Sequence, residues 1–155
     1  MVKHYDTSVE LCGVKLDNPV IPASGTFGFG REFAEYYDLD CLGAISFKGT
    51  TRDARFGNPT PRIAECTSGL INSVGLQNPG VDAFIRGYLQ KKRKNGNVII
   101  ANIAGATLDD YVAAVSKLEG TDVDMIELNI SCPNVKQGGA SWGVSCEGAA
   151  SVTKA

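Results

Sequence analysis

The sequence contains a single histidine, His4, in an N-terminal segment that reads as frayed. That scarcity excludes Ser-His-Asp triads, histidine-rich zinc sites and histidine general bases, so acid–base work falls to other side chains. The five cysteines, Cys12, Cys41, Cys66, Cys132 and Cys146, are odd in number, widely spaced and form no C-x-x-C pair. They fit reduced thiols rather than a disulfide framework, a zinc site or an iron–sulfur site, and no metal site is expected. An excess of charge of one sign is also missing. Fifteen Lys and Arg against 17 Asp and Glu leave a net charge of −2, without the basic footprint that nucleic-acid binding needs. No apolar run reaches the roughly 18 residues of a membrane helix. The richest, Val98 to Ala106, is broken by Asn102, and Met1 to Asp6 carries no signal-peptide hydrophobic region. A cytoplasmic protein with no membrane or nucleic-acid partner is expected.

What is present is a globular composition: 155 residues, 43% apolar and 21% charged, with 18 glycines. Glycine exceeds its usual share of about 7% and clusters where strands end, as loops that approach a ligand closely would require.

Strand and helix patterns alternate along the chain. A small hairpin is predicted from Val9 and Leu11 through Cys12-Gly13 to Val14 and Leu16. After Asn18-Pro19, Val20 to Ala23 reads as a short buried strand, Ser24 to Gly30 as a glycine-rich loop and Arg31 to Tyr37 as a short helix. Gly43 to Phe47 is a second strand ending at Lys48. Residues 49–80 form a long Gly/Pro/Thr-rich connection with short apolar stretches at Arg62-Ile63-Ala64 and Gly69-Leu70-Ile71, and a loop of that length is usually functional.

Asp82 to Lys94 is helical, with Phe84, Ile85, Tyr88 and Leu89 on one face and the run Lys91, Lys92, Arg93, Lys94 as a solvated, dipole-compatible end. Asn97 to Ile103 is a third strand. An amphipathic helix carrying Leu108, Val112, Val115 and Leu118 opens on Asp109 and Asp110, whose acids suit an N-terminus. Asp124 to Asn129 is a fourth strand, and Glu147 to Ala155 starts another helix. This alternation predicts an α/β fold with a parallel sheet. Gly25-x-x-Gly28-x-Gly30 lacks the G-x-G-x-x-G spacing and no acid ends the second strand, which favours a (β/α)8 TIM barrel over a Rossmann sheet.

Each of these strands is followed by one hydrogen-bonding residue: Ser24, Lys48, Asn102 and Asn129. In a parallel barrel those positions share the C-terminal rim, where such active sites lie. Taken singly, Ser24 or Asn102 reads equally as a cap or turn residue, whereas a buried lysine needs a compensating partner, which singles out Lys48. Two loops join them. Asn72 to Gly80 combines amides, glycines and a proline suited to a planar polar ligand, although an ordinary turn-rich loop has the same composition. Asn129-Ile130-Ser131-Cys132-Pro133-Asn134 sets a thiol between carboxamides, either a base of free pKa about 8.5 or an inert buried cysteine.

In order and spacing, five segments resemble the class 1 dihydroorotate dehydrogenases: Asn18 to Gly25, Lys48 to Thr51, Gly57 to Arg62, Asn72 to Gly80 and Asn129 to Asn134. Gly25-Thr26-Phe27-Gly28 and Gly75-Leu76-Gln77-Asn78-Pro79-Gly80 look like the NAD-linked subclass 1B. The resemblance implies a flavoenzyme that uses FMN to oxidise dihydroorotate to orotate in pyrimidine biosynthesis. It implies that Ser24, Lys48, Gly49, Asn102 and Asn129 contact the flavin. Lys48, Asn72, Ser73, Val74, Gly75, Leu76, Asn129 and Asn134 would hold the substrate, Cys132 would be the catalytic base, and Lys48 would act with it by stabilising negative charge on the reduced flavin. It further implies a partner subunit carrying FAD and a [2Fe-2S] cluster, in a homodimer of barrels or a heterotetramer.

A whole barrel takes about 250 residues. Residues 1–155 are therefore expected to be the first four βα units of one flavin-binding domain, inactive alone. The alternatives are another flavin-dependent barrel, such as a dihydropyrimidine dehydrogenase domain, or a non-catalytic half-barrel.

Overall fold

A computed structural model describes residues 5–89, 96–131 and 142–155. His4, the basic run 91–94, Cys132 and Asn134 lie outside the described residues. The chain opens with the expected hairpin: β1 (Val9–Leu11) pairs antiparallel with β2 (Val14–Leu16). Its turn residues Cys12 (φ 50) and Gly13 (φ 79) are both left-handed, the combination that matches the twist of the flanking strands.

The centre of the fold is a parallel sheet of β3 (Ala44–Ser46), β6 (Val98–Ile103) and β7 (Met125–Leu128), in the order β3-β6-β7. Between β3 and β6 lies an antiparallel hairpin, β4 (Ile63–Cys66) and β5 (Gly69–Asn72), followed by one helical turn, α2 (Val81–Phe84), that continues as a wider turn over Ile85–Leu89. Helix α3 (Leu108–Ser116) connects β6 to β7, and α4 (Cys146–Lys154) follows.

One face of the sheet is covered by these helices. Ile45, Phe47, Ile99, Ala101 and Ile103 are buried there against Phe84, Tyr111, Ala114, Leu118 and Val152. The Phe47 and Phe84 rings meet edge-on at 5.5 Å, and each fully buried side chain of this size contributes roughly 1.5–3 kcal/mol. On the opposite face, Ala44, Ile100, Val98 and Met125 pack under Leu16 of the hairpin. The β1–β2 hairpin thus closes the amino-terminal end of that face.

Helix α3 starts where the sequence places acids. The Thr107 side chain accepts from the Asp110 N–H at 3.2 Å, and the Asp110 carboxylate accepts from the Thr107 and Ala106 N–H groups at 3.1 and 3.2 Å. Burial pushes the Asp110 carboxyl up, but these hydrogen bonds and the nearby Arg52 charge outweigh it and hold it below the ordinary carboxylate value.

Several expectations require correction. Val20 to Ala23 is not a buried strand: Val20 is 56% exposed. Pro22 has no N–H for a ladder, and the segment is tied down through the Gly43 N–H to the Val20 carbonyl at 3.0 Å. Ser24 to Gly30 is not wholly a loop, because Ser24–Phe27 forms a helical turn, α1. Only Phe33–Glu35 of the helix expected over 31–37 is regular, as a 3-10 turn. Residues 49–80 hold the β4–β5 hairpin rather than an unstructured connection, since Ile63 to Cys66 and Gly69 to Asn72 can satisfy each other's backbone groups. The lysine expected to be buried, Lys48, is only half-buried.

Candidate functional site

Along the face opposite the helices, side chains repeat every second residue, and each strand turns from apolar to polar toward its carboxyl end. Ala44 is followed by Ser46, Val98 and Ile100 by Asn102, and Met125 by Glu127 and then Asn129 just past β7. The register sets Asn102 beside Glu127. These polar groups bond to one another across the strands. Glu127 accepts from the Ser46 hydroxyl at 3.0 Å and from Asn102 Nδ2 at 2.6 Å, and Asn102 Oδ1 accepts from Asn129 Nδ2 at 3.1 Å.

Asn129 is pinned on every side. Its N–H donates to the Ile103 carbonyl at 2.8 Å, its carbonyl accepts from the Tyr111 hydroxyl at 2.7 Å, and its Oδ1 accepts from the Ser131 N–H at 3.3 Å. Asn102 is 2% exposed and Ser46 3%, whereas Asn129 is half-buried and Glu127 exposed, so the Asn102 and Ser46 ends of this network are held away from water, where hydrogen bonds are strongest and unmade ones most costly.

Beside the amide pair the β3 chain bulges. Ser46 is level with Ile100 and Thr50 with Ile103, so four steps on one chain face three on the other. The extra residue falls around Lys48-Gly49, and bulges commonly re-aim side chains next to active sites. Gly49 must lack a side chain here. A Cβ would stand 2.8 Å from Asn102 Oδ1, 3.0 Å from Leu76 Cδ1 and 3.3 Å from Asn129 Nδ2.

Lys48 borders a cavity of about 970 Å³ under the β4–β5 hairpin, with Thr26, Phe29, Asn72, Val74 and Tyr88 among its walls. The loop from Asn72 to Gly80 is held rigidly at its rim. Asn58 donates through Nδ2 to the Ser73 carbonyl and through its N–H to the Val74 carbonyl, at 2.8 and 2.9 Å. Arg62 reaches the Phe56 and Asn58 carbonyls at 3.0 and 3.2 Å and the Gln77 side chain. Gly75, at φ 78, sits against Asn58, where a Cβ would be 2.7 Å away. Asn78 does not offer its amide outward: it accepts from Thr51 and Gly80 N–H groups and donates to Thr51 and the Leu76 carbonyl.

The structure therefore assembles the predicted residues into two adjoining groups. Gly49, Asn102, Asn129 and Leu76 meet at the strand ends, while Lys48, Asn72 and Val74 line the cavity. Ser73 and Val74 hold the rim through their carbonyls, and Gly75 packs against Asn58. Ser24 starts α1 and lies outside the cavity lining, although its neighbours Gly25 and Thr26 are in it. Ser46 and Glu127 were missed; the signal was the period-2 spacing, Ser46 two residues after Ala44 and Glu127 two residues before Asn129 on the same face. Cys12, Cys41, Cys66 and Cys146 are free and exposed. Among the described residues no helix is long and apolar enough to cross a membrane.

The family described as "Dihydroorotate dehydrogenase" matches residues 7–155. The chain is 56% identical over 147 residues to the dihydroorotate dehydrogenase B (NAD(+)) catalytic subunit of Petrotoga mobilis, covering 95% of this chain and 49% of that protein. It is 55% identical to the subunit of that name from Enterococcus faecalis, covering 96% and 48%. The chain thus spans about half the length of the curated relatives it matches. A crystal structure of DHODH in complex with ferulenol from Eimeria tenella superposes with a TM-score of 0.71 at 23% identity, over 96% of this chain and 42% of that one. That likeness shows the fold, and the parallel α/β sheet fits a TIM-barrel family.

Proposed function

Because the chain belongs to the dihydroorotate dehydrogenase family, we propose that it is the N-terminal part of the catalytic subunit of an NAD-linked, FMN-dependent enzyme that oxidises dihydroorotate to orotate. In this reading it contributes the first four βα units of one barrel domain, in the cytoplasm, for pyrimidine biosynthesis. The observation that carries it is the Asn102–Asn129 amide pair at adjacent strand ends, beside a Gly49 whose Cβ would collide with it.

The donor set fits a flavin. An isoalloxazine edge alternates C=O and N–H, and each carboxamide offers donors and an acceptor. The bare α-carbon of Gly49 leaves room against the amides, and Lys48 adds a cation able to stabilise developing negative charge. Ser24, Lys48, Gly49, Asn102 and Asn129 would hold FMN. When bound, it supplies the acceptor for the hydride leaving C6 of dihydroorotate, chemistry that no side chain provides. Lys48, Asn129, Asn134 and the rim from Asn72 to Leu76 orient the substrate, Lys48 pairing with its carboxylate. Cys132 takes the C5 proton. The "catalytic subunit" in the relatives' names supports a separate electron-transfer partner, which would carry FAD and a [2Fe-2S] cluster and pass electrons to NAD+, in a homodimer of barrels or a heterotetramer.

A second reading, a half-barrel inert by itself, draws on β7, whose Ile126 is 42% exposed. Titration with FMN followed by dihydroorotate separates them. Bleaching of the bound flavin by dihydroorotate, and not by dihydrouracil, is expected from the enzyme; dihydrouracil as the better reductant would point to a dihydropyrimidine dehydrogenase. In the flavin-loaded enzyme, Cys132→Ala slows that bleaching by about 10²–10⁴-fold, and an unchanged rate removes Cys132 as the base.

A further inference from the structure

We propose that Glu127 is a positioning residue that fixes which way the Asn102 and Asn129 carboxamides face, and through them what the site offers a flavin; the second half of this rests on the flavin reading above. An ionised carboxylate only accepts hydrogen bonds. Glu127 Oε1 therefore takes the NH2 end of Asn102, at 2.6 Å, which turns Asn102 Oδ1 toward Asn129. That oxygen can receive only the NH2 end of Asn129, at 3.1 Å, leaving Asn129 Oδ1 to accept from the Ser131 N–H at 3.3 Å. Reversing Asn102 would set oxygen against carboxylate at one end and NH2 against NH2 at the other.

The carboxylate is itself held. Its other oxygen accepts from Ser46, 3.0 Å away and 3% exposed, so Glu127 is braced between β3 and β6. It stands on the strand face otherwise formed by Ala44, Ser46, Val98, Ile100, Asn102 and Met125, where it is the one charged side chain. A neutral residue could knit these strands together. The direction of the amides further needs an acceptor held at this reach toward Asn102, since an asparagine alone has two nearly isosteric orientations. Each amide keeps a second N–H and a second lone pair, and Glu127 decides on which side of the pair those remain.

Two variants separate direction from charge and from stapling. Glu127→Gln keeps the reach and an acceptor for Asn102 while the Ser46 hydroxyl rotates to accept, but it loses the charge. Glu127→Asp keeps the charge and loses the reach. In the chain titrated with FMN, Gln should bind within about twofold of the parent and Asp about tenfold more weakly, a change of about 1.4 kcal/mol. The side-chain NH2 resonances of Asn102 and Asn129, read by NMR without flavin, should stay near parent positions in Gln and move in Asp.

The opposite order, Gln impaired and Asp parent-like, overturns the proposal in favour of a charge effect. Lowered stability in Asp with unmoved amide resonances also overturns it, in favour of a staple. If the parent chain takes up no FMN, the half-barrel inert by itself is the reading favoured, and the amide resonances, read without flavin, alone decide whether Glu127 orients the pair.

Discussion

The two faces of the β3–β6–β7 sheet come from the same strands, one residue out of phase, yet they are built for different ends. The helix-covered face presents Ile45, Phe47, Ile99 and Ile103, all at or below 1% exposure. The other face begins apolar under Leu16 and ends in Ser46, Asn102 and Glu127. On the first, burial of apolar area does the work and side chains are interchangeable if volume is kept. On the second, each group has fixed partners and a fixed direction, so small changes alter what the site presents more than whether the chain folds. Stability and chemistry are thus separated by the strand repeat itself.

The strongest way to break that separation is at Phe47. Phe47→Ala, in the centre of the helix-covered face, should cost about 3–5 kcal/mol, read as a lower urea midpoint, and leave the Asn102 and Asn129 side-chain resonances unmoved if the protein is kept folded. Gly49→Ala acts from the other side. The new Cβ must displace Asn102 Oδ1 from 2.8 Å, so about 1–3 kcal/mol of strain is expected together with a marked loss of flavin affinity; unchanged affinity would remove Gly49 from the site.

Asp110→Asn gives the smallest effect, about 1 kcal/mol, the scale of one helix cap. It loosens α3, which covers the first face. Because the folded-state carboxyl is held below its ordinary value of 3.8, its contribution is present above that pH and is lost as the pH falls through the lowered value. Urea midpoints of parent and variant should differ near neutrality and converge below the ordinary value. A gap that persists in acid would show that the cap does not depend on the charge.

Legibility in the sequence follows the range of the interactions. The β1–β2 turn, the acidic start of α3 and the strands expected over 43–47, 97–103 and 124–129 are set by neighbours a few residues away, and each of those strands agrees with the fold to within one residue at either end. The apolar letters of Val20 to Ala23 suggest a buried strand, while Pro22 and the available partners decide otherwise. The β4–β5 hairpin was passed over because its exposed faces, with Ile63, Leu70 and Ile71 outward, carry no alternating pattern. At the site, Lys48, Asn102 and Asn129 were visible as polar residues after apolar runs. Ser46 and Glu127 were not, since nothing local shows that residues 81 apart form one hydrogen bond.

By itself the sequence determined the α/β class, the family resemblance and the strand-end residues that carry it, because periodicity and short-range turn chemistry are written in adjacent letters. Only the tertiary structure decided that Asn102 and Asn129 bond to each other, that Gly49 lies against them, that Lys48 faces the cavity instead, and that Glu127 accepts from both Ser46 and Asn102. Those facts depend on parallel register and on a bulge of one residue, which arise when separate strands pair and cannot be read from any one of them.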